Sequence, residues 1–325
     1  MRVLVTGATS LLGGAVIDRL LERGDTVATL QRRPSRFAEA DGVTEALGDI
    51  TDIDAVAGAV EGCDAVVHLA ARVDVIGPWN DYERTNVLGT KLALDAAGEA
   101  GVERFVHVSS PSVAHAGEAL VGAGAGRAEP EHTRGHYATS KAMAEELALT
   151  HGGVPVVAIR PHLVWGPGDS QLVGRIVERA RQGRMAIIGS GAALIDSTYL
   201  DDAADALVAA VDRTPELIGE ALVVSGGQPR PVAELIGRIL VAAGLEPPTR
   251  RVPVAAARGA GAVVERAWDA FDLAEPPMTT FLAEQLSTAH WFDQRRTREL
   301  LGWEPQVGID DGLRRLAAWY AEDAG

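Results

Sequence analysis

Through the first 160 residues, short apolar runs alternate with stretches whose apolar residues recur every three to four positions. Arg2 to Thr6 reads as a strand. Leu11 to Arg23 follows as a helix, because Val16, Ile17, Leu20 and Leu21 fall on one face at helical spacing. Thr26 to Gln31 is a second strand, and Ala65 to Leu69 a later one, followed by a helix from Asp81 to Glu99. Phe105 to Val108 and Val154 to Ile159 add two more strands. This βαβ alternation predicts a parallel sheet with helices on both sides, an α/β doubly wound fold of the Rossmann type. After Arg160-Pro161 the rhythm changes. Gly166-Pro167-Gly168 breaks the pattern, Gln171 to Gln182 reads as a helix, and so does Arg230 to Ala243, with Leu235, Ile236, Ile239 and Leu240 on one side. The pattern divides the chain into a nucleotide-binding domain over 1–165, to which 196–212 returns, and a smaller substrate-binding cap over most of 166–325.

The 325 residues are enough for a large core, and 47% hydrophobic with 23% charged residues is a globular balance. A net charge of −15 argues against nucleic acid, which needs a basic face to displace phosphate counterions. The single cysteine, Cys63, excludes an intrachain disulfide and reads as core filler. No apolar window is long enough for a membrane helix, and Met1 to Val5 leads into a strand rather than a signal peptide, so a cytoplasmic protein is expected. Val254 to Val264, with Trp268 and Phe271 beyond it, reads as an amphipathic segment that covers a lipid-like substrate or makes a weak contact with a membrane surface. Gly117 to Arg134, rich in Gly and Ala, reads as a mobile loop. No His, Cys or Asp spacing suggests a metal site; His132 and His136 read as loop residues.

Candidate chemistry starts from a scarcity. Only two of the thirty basic residues are lysines, Lys91 and Lys141, and Lys141 lies four positions after Tyr137. On a helix such a pair shares a face. It places a phenol beside an ammonium whose pKa can move, which a guanidinium cannot match, and predicts a proton-transfer site.

A second motif supplies a partner for it. Thr6-Gly7-Ala8-Thr9-Ser10-Leu11-Leu12-Gly13-Gly14 sits between the first strand and the first helix. There the glycines allow a dinucleotide pyrophosphate to approach the backbone and rest on the helix N-terminus. Thr9, Ser10, Leu11 and Leu12 fall in this turn. Ser10 stands where glycine is usual, and its hydroxyl could donate to a phosphate oxygen. The second strand ends in Leu30-Gln31-Arg32-Arg33 without a carboxylate, which favours NADP(H) over NAD(H).

Together these pieces resemble the extended short-chain dehydrogenase/reductase family over nearly the whole chain. Gly48-Asp49-Ile50, His68-Leu69-Ala70-Ala71, Asn86-Val87-Leu88-Gly89-Thr90, Ser109-Ser110 and Arg160-Pro161 carry the likeness. Phe281 to Leu286, His290-Trp291-Phe292 and Leu300 to Pro305 make it similar to the 3β-hydroxysteroid dehydrogenase group. The resemblance implies that Asp49 and Ile50 contact adenine, that Leu69, Ala70 and Ala71 line the ribose and pyrophosphate path, that Asn86 and Val108 border the cofactor, and that Pro161 to Val164, including Leu163, hold the nicotinamide. Ser109, Ser110 and Ser112 compete for the catalytic hydroxyl; the family's spacing to a valine selects Ser110 before Val113, with Ser112 second. Tyr137 would protonate the substrate oxygen, and Lys141 would lower the phenol's pKa and hold the nicotinamide ribose. The implied enzyme is an NADPH-dependent oxidoreductase that reduces a long-chain 2-alkyl-3-oxoalkanoic acid in lipid (olefin) biosynthesis. A 3β-hydroxysteroid-type dehydrogenase and a nucleotide-sugar epimerase with bound NAD are the alternatives. Arg72, His162 and Arg175 are candidates for the substrate carboxylate, and Trp165 and Arg179 should border the substrate. A homodimer through the 81–99 and 137–149 helices, and association with other pathway enzymes, complete the expectation.

Overall fold

The computed structural model describes residues 1–74, 77–114, 117–271 and 280–323, and side chains within them except 265–271, 281, 282 and 323. Trp268 and Phe271, expected against the substrate, and His115 of the Gly-rich loop therefore lie outside the described side chains.

The first half runs β1 (Arg2–Thr6), α1 (Leu11–Glu22), β2 (Thr26–Gln31), β3 (Val43–Leu47), α2 (Ile53–Val60), β4 (Ala65–His68), α3 (Trp79–Tyr82), a π-helical turn Glu83–Leu88, α4 (Gly89–Glu99), β5 (Arg104–Val108), a 3-10 turn Pro111–Ala114, β6 (Leu120–Ala123), α5 (His136–Thr150) and β7 (Val156–Pro161). The second half runs β8 (Val164–Trp165), α6 (Val173–Arg181), β9 (Ile187–Ile188), β10 (Leu194–Ile195), β11 (Thr198–Tyr199), α7 (Leu200–Arg213), β12 (Ala221–Val224), β13 (Arg230–Pro231), α8 (Val232–Ala242), β14 (Arg251–Val252), α9 (Val254–Phe271), α10 (Thr280–Gln285), β15 (His290–Phe292), α11 (Arg295–Leu301) and α12 (Ile309–Asp323).

Seven parallel strands form the central sheet in the order β12-β7-β5-β4-β1-β2-β3, a Rossmann-type arrangement. Side chains alternate across the sheet, so each strand feeds two cores. Val3 and Val5 of β1 pack with Val16, Ile17 and Leu20 of α1 and Leu207 and Val211 of α7. Leu4 between them packs with Val66, Leu94, Ala97 and Phe105 on the opposite face. Cys63 is buried in that second core. Burial on both faces is what a purely parallel sheet requires. The chain order reverses at β1, whose neighbours are β2 and β4, and such a switch point opens a crevice at the carboxyl ends of the strands.

Three local readings are corrected. The helix expected over 81–99 is α3, the π turn and α4, and the π turn carries Asn86. The helix expected from Gln171 starts at Val173, because the Asp169 carboxylate accepts from the amides of Gln171, Leu172 and Val173 and so ends the preceding loop. The Gly117–Arg134 loop contains β6, which pairs in parallel with β15 in a sheet ordered β13-β10-β15-β6. Its partner lies far along the chain, so local pattern could not reveal it.

Candidate active site

β1 ends in the Gly7 turn. Gly7 has φ +77°, and a Cβ there would lie 3.1 Å from the Ala70 amide nitrogen. At Gly13 a Cβ would lie 2.5 Å from the Gly7 carbonyl oxygen, so the turn and the first helical turn close on each other without room for a side chain. α1 has no acidic residue in its first turn, leaving its N-terminal dipole for an anion. These features fit a dinucleotide pyrophosphate. Leu11 is exposed beside the turn and meets the Gly166-Pro167-Gly168 loop at Gly168.

Ser10 departs from the expected phosphate donor. Its hydroxyl donates to the Gly7 carbonyl (2.8 Å) and accepts from the Gly13 amide (3.0 Å), making it the N-cap of α1. Glycine is nearly as good at this position, so Ser10→Gly should cost only a few tenths of a kcal/mol, whereas Ser10→Ala should cost ~1 kcal/mol. Cofactor titration and thermal melts check this; Ser10→Gly that no longer binds cofactor would return the hydroxyl to the phosphate.

A buried network ties β1 to β4. Thr90 Oγ1 donates to the Asn86 carbonyl, and Thr6 Oγ1 accepts from the Ala70 amide. His68 lies between them, its Nε2 3.1 Å from Thr90 Oγ1 and its Nδ1 2.9 Å from Thr6 Oγ1. The pattern is satisfied by a neutral ring that donates through Nε2. Burial, and secondarily Lys141, pull the His68 pKa down to about 3, in agreement. The Ala70 peptide is thus held in place where Leu69, Ala70 and Ala71 leave β4 half-exposed.

Several residues expected at the cofactor are otherwise engaged. Both Asn86 amide protons are donated within the protein, to the Arg72 carbonyl and to Ser140 Oγ, and its oxygen accepts from the Arg72 amide. Asn86 therefore knits the 72-loop to α5. Ile50 is buried against Gly89. The Thr51 amide holds the Asp49 carboxyl below its ordinary range, helped by the Thr51 hydroxyl, Arg32 and Arg84. Arg32 and Arg33 are exposed just beyond β2.

The catalytic candidates meet at the ends of β5 and β7. Ser109 Oγ is buried away from any partner, whereas Ser110 Oγ is 2.9 Å from Ser112 Oγ and lies near enough to the Tyr137 phenol to draw its pKa down. The structure thus separates the three serines: Ser110 is the one at the phenol. Lys141 is 3% exposed and its Nζ donates to the Val108 carbonyl at 2.5 Å. Burial lowers its pKa to about 8, against the pull of Glu145. The expected lowering of Tyr137 by Lys141 is not found. Burial raises the phenol above its ordinary range, and only Ser110 acts the other way. Pro161, Leu163 and Val164 lie half-exposed at the end of β7, and Leu163 has φ +43°, the one non-glycine positive φ among the described residues. Such backbone strain in a bulky residue concentrates at functional sites.

The substrate side is revised more heavily. His162 is buried with its Nε2 3.0 Å from His290 Nδ1, and Arg72 is held by Asp74 and Asp81, so neither stands open for a carboxylate. Arg175 donates to Gln171. Trp165 is core, not substrate wall: it is 2% exposed and its Nε1 donates to Ser197 Oγ. His132 pairs with Glu129, and His136 Nδ1 meets the Gly77 carbonyl. Two carboxylates were missed. Glu145 is buried with Arg160 in an ion pair whose separation would cost roughly 3–5 kcal/mol. Glu284 of α10 pairs with Arg134, three residues before Tyr137, and with Arg258 of α9 at 3.8 Å, tying the cap to the loop that leads into α5. Glu145 carried a signal, its four-residue step from Lys141; Glu284 carried none. Among the described residues no cluster of His, Cys, Asp or Glu could hold a metal, and no helix is long and apolar enough to cross a membrane.

Comparison with known proteins agrees with this geometry. Residues 3–224 match the NAD dependent epimerase/dehydratase family. A 2-alkyl-3-oxoalkanoate reductase from Stenotrophomonas maltophilia is 40% identical over 98% of this chain and 99% of its own. A protein of the same name from Shewanella oneidensis is 36% identical over 97% and 85%. A Mycobacterium tuberculosis 3 beta-hydroxysteroid dehydrogenase/Delta 5-->4-isomerase is 29% identical over 98% and 90%. Among solved structures, a dTDP-glucose 4,6-dehydratase from Streptomyces venezuelae with NAD bound superposes with a TM-score of 0.77 at 25% identity, covering 100% of this chain and 98% of that one.

Proposed function

The chain belongs to the NAD dependent epimerase/dehydratase family, the extended short-chain dehydrogenase/reductases, and on that premise we propose that it reduces a long-chain 2-alkyl-3-oxoalkanoic acid to the 2-alkyl-3-hydroxyalkanoic acid with NADPH. As an oxidoreductase of CH–OH and C=O groups it uses a nicotinamide cofactor. The observation that carries the reading is the meeting of Ser110 and a protonated Tyr137 phenol, one helical turn from Lys141, at the carboxyl ends of β5 and β7.

A bound nicotinamide would supply the hydride. Ser110 donates a hydrogen bond to the ketone oxygen. Tyr137 gives its proton to that oxygen as it becomes an alkoxide; a phenol held above its usual pKa is in the donor form at neutral pH, as reduction requires. Below about pH 8, Lys141 is an ammonium one turn away, bonded to the Val108 carbonyl, and would hold the nicotinamide ribose. Gly7, Gly13, Ala70 and Ala71 would bind the pyrophosphate and ribose, and Pro161 to Val164 would hold the nicotinamide ring.

NADPH is favoured over NADH by Arg32 and Arg33, exposed beyond β2 with no carboxylate at the strand end. Replacing both with alanine should reduce the NADPH/NADH preference by about 10- to 100-fold, from the ~1.5–3 kcal/mol of a hydrogen bond to a charged group. An unchanged ratio of kcat/KM values would remove this assignment. A homodimer through the open face where Val87 and Leu88 meet Leu147 belongs to the same reading.

The substrate reading is tested by NADPH oxidation across 2-alkyl-3-keto acids, 3-ketosteroids and UDP-sugars. Turnover of the keto acids supports it. Turnover confined to steroids would favour the reading suggested by the 29% identical relative. Interconversion of sugars without net cofactor oxidation would make the protein an epimerase.

A further inference from the structure

Tyr137, Lys141 and Glu145 follow one another in four-residue steps, so they stand on one face of α5. Glu145 is fully buried, as is Arg160 of β7. Arg160 grips both carboxylate oxygens, Nε to Oε2 at 2.8 Å and Nη2 to Oε1 at 2.5 Å. Its further bonds go to the Ala125 and Gly126 carbonyls, in the segment between β6 and α5 that leads into Tyr137. An ion pair that served packing alone could stand anywhere in the core. This one stands one turn from a buried ammonium that no other carboxylate approaches among the described residues.

The other groups facing Lys141 leave Glu145 as its charge partner. From β5 comes His107, held neutral chiefly by burial, and from β4 His68, neutral for the same reason. The Val108 carbonyl accepts from Nζ, the π turn contributes the uncharged Asn86, and α5 itself contributes Tyr137. Arg160 holds both oxygens of the Glu145 carboxylate.

We propose that Glu145, clamped by Arg160, is a positioning residue that keeps Lys141 in its ammonium form and so sets the upper pH limit of turnover. This rests on reading Tyr137 and Lys141 as the proton-transfer pair. Glu145 acts through Lys141, and Arg160 fixes its carboxylate in place through both oxygens.

The scarcity of lysine makes the test direct. With lysine labelled isotopically at the side-chain carbon next to the amine, the protein gives two resonances, from exposed Lys91 and buried Lys141. In the wild type the Lys141 resonance should titrate with a midpoint of about 8. Glu145→Gln retains the shape and an acceptor oxygen but removes the charge. The Lys141 midpoint should fall by about one pH unit, the scale for loss of an opposite charge nearby. The alkaline limb of kcat/KM should fall with it, while Lys91 stays in place. A folded Glu145→Gln protein with an unmoved Lys141 midpoint would overturn the proposal, since a purely structural role lowers Tm without touching that titration. If Glu145→Gln does not fold, Glu145→Met with Arg160→Met removes the pair together, which buried ion pairs often tolerate. A smaller downward shift is expected there, because the Arg160 charge leaves together with that of Glu145, and no downward shift at all is equally decisive. The resonance titration needs no substrate, so failure of the wild type to reduce any ketone sinks the functional reading and leaves this measurement standing.

Discussion

Replacement of Tyr137 by phenylalanine is expected to lower kcat by about 10²–10⁴-fold, the usual contribution of a positioned proton-transfer group, while nicotinamide binding stays within a few-fold. The change deletes one oxygen. The ring itself remains, and the buried face of α5 is made by Ala138, Ser140, Lys141, Ala142, Ala144, Glu145 and Ala148, so packing of the helix is undisturbed. Ser110 keeps Ser112 at 2.9 Å. Binding and turnover should therefore separate, with cofactor titration nearly unchanged and ketone-dependent NADPH oxidation lost. Near-wild-type turnover would move the proton donor elsewhere, and a parallel loss of cofactor affinity would make the tyrosine a binding residue.

Gly13→Ala should weaken cofactor binding by at least about tenfold and destabilise the fold by ~1–3 kcal/mol, the range for forcing an extra methyl into packed structure. The new Cβ would stand 2.5 Å from the Gly7 carbonyl oxygen, a backbone atom that also accepts from the Ser10 amide and hydroxyl. Relief requires the turn to open, and the turn is where a pyrophosphate would lie. Gly58→Ala provides the contrast: it sits exposed in α2 with nothing near its would-be Cβ. There alanine should be neutral or stabilising by up to ~1 kcal/mol, as helix propensity dictates. Chemical denaturation and cofactor titration of both variants check the pair. Equal behaviour of the two would mean that the Gly7–Gly13 contact does not shape the site.

What was legible and what was not follows the range of the interactions. The Tyr137–Lys141 step, the Gly7–Gly13 turn and the periodicity of β1, α1 and β2 are short-range, and each stands in the fold where the pattern put it. Misreadings fall where a side chain finds a remote partner. His162 looked like a cation for the substrate, yet it is buried against His290, 128 positions away. Trp165 looked like a substrate wall, yet its indole reaches Ser197. The Gly-rich loop before α5 hides a strand whose partner is β15. Ser10 is an instructive near case, since its capping bonds are local but only the closed turn shows that they use both its donor and its acceptor.

The order of residues along the chain was sufficient for the doubly wound sheet, the nucleotide turn and a phenol next to an ammonium, because dihedral preference, periodicity and i,i+4 spacing act within a few residues. It could not say whether Lys141 or burial governs the phenol's proton, or that Glu145 and Arg160 stand behind the lysine. Those outcomes depend on desolvation and on charges brought together from β4, β5, α5 and β7. Such forces act through space across strands that are distant in sequence, so they exist only once the chain has folded.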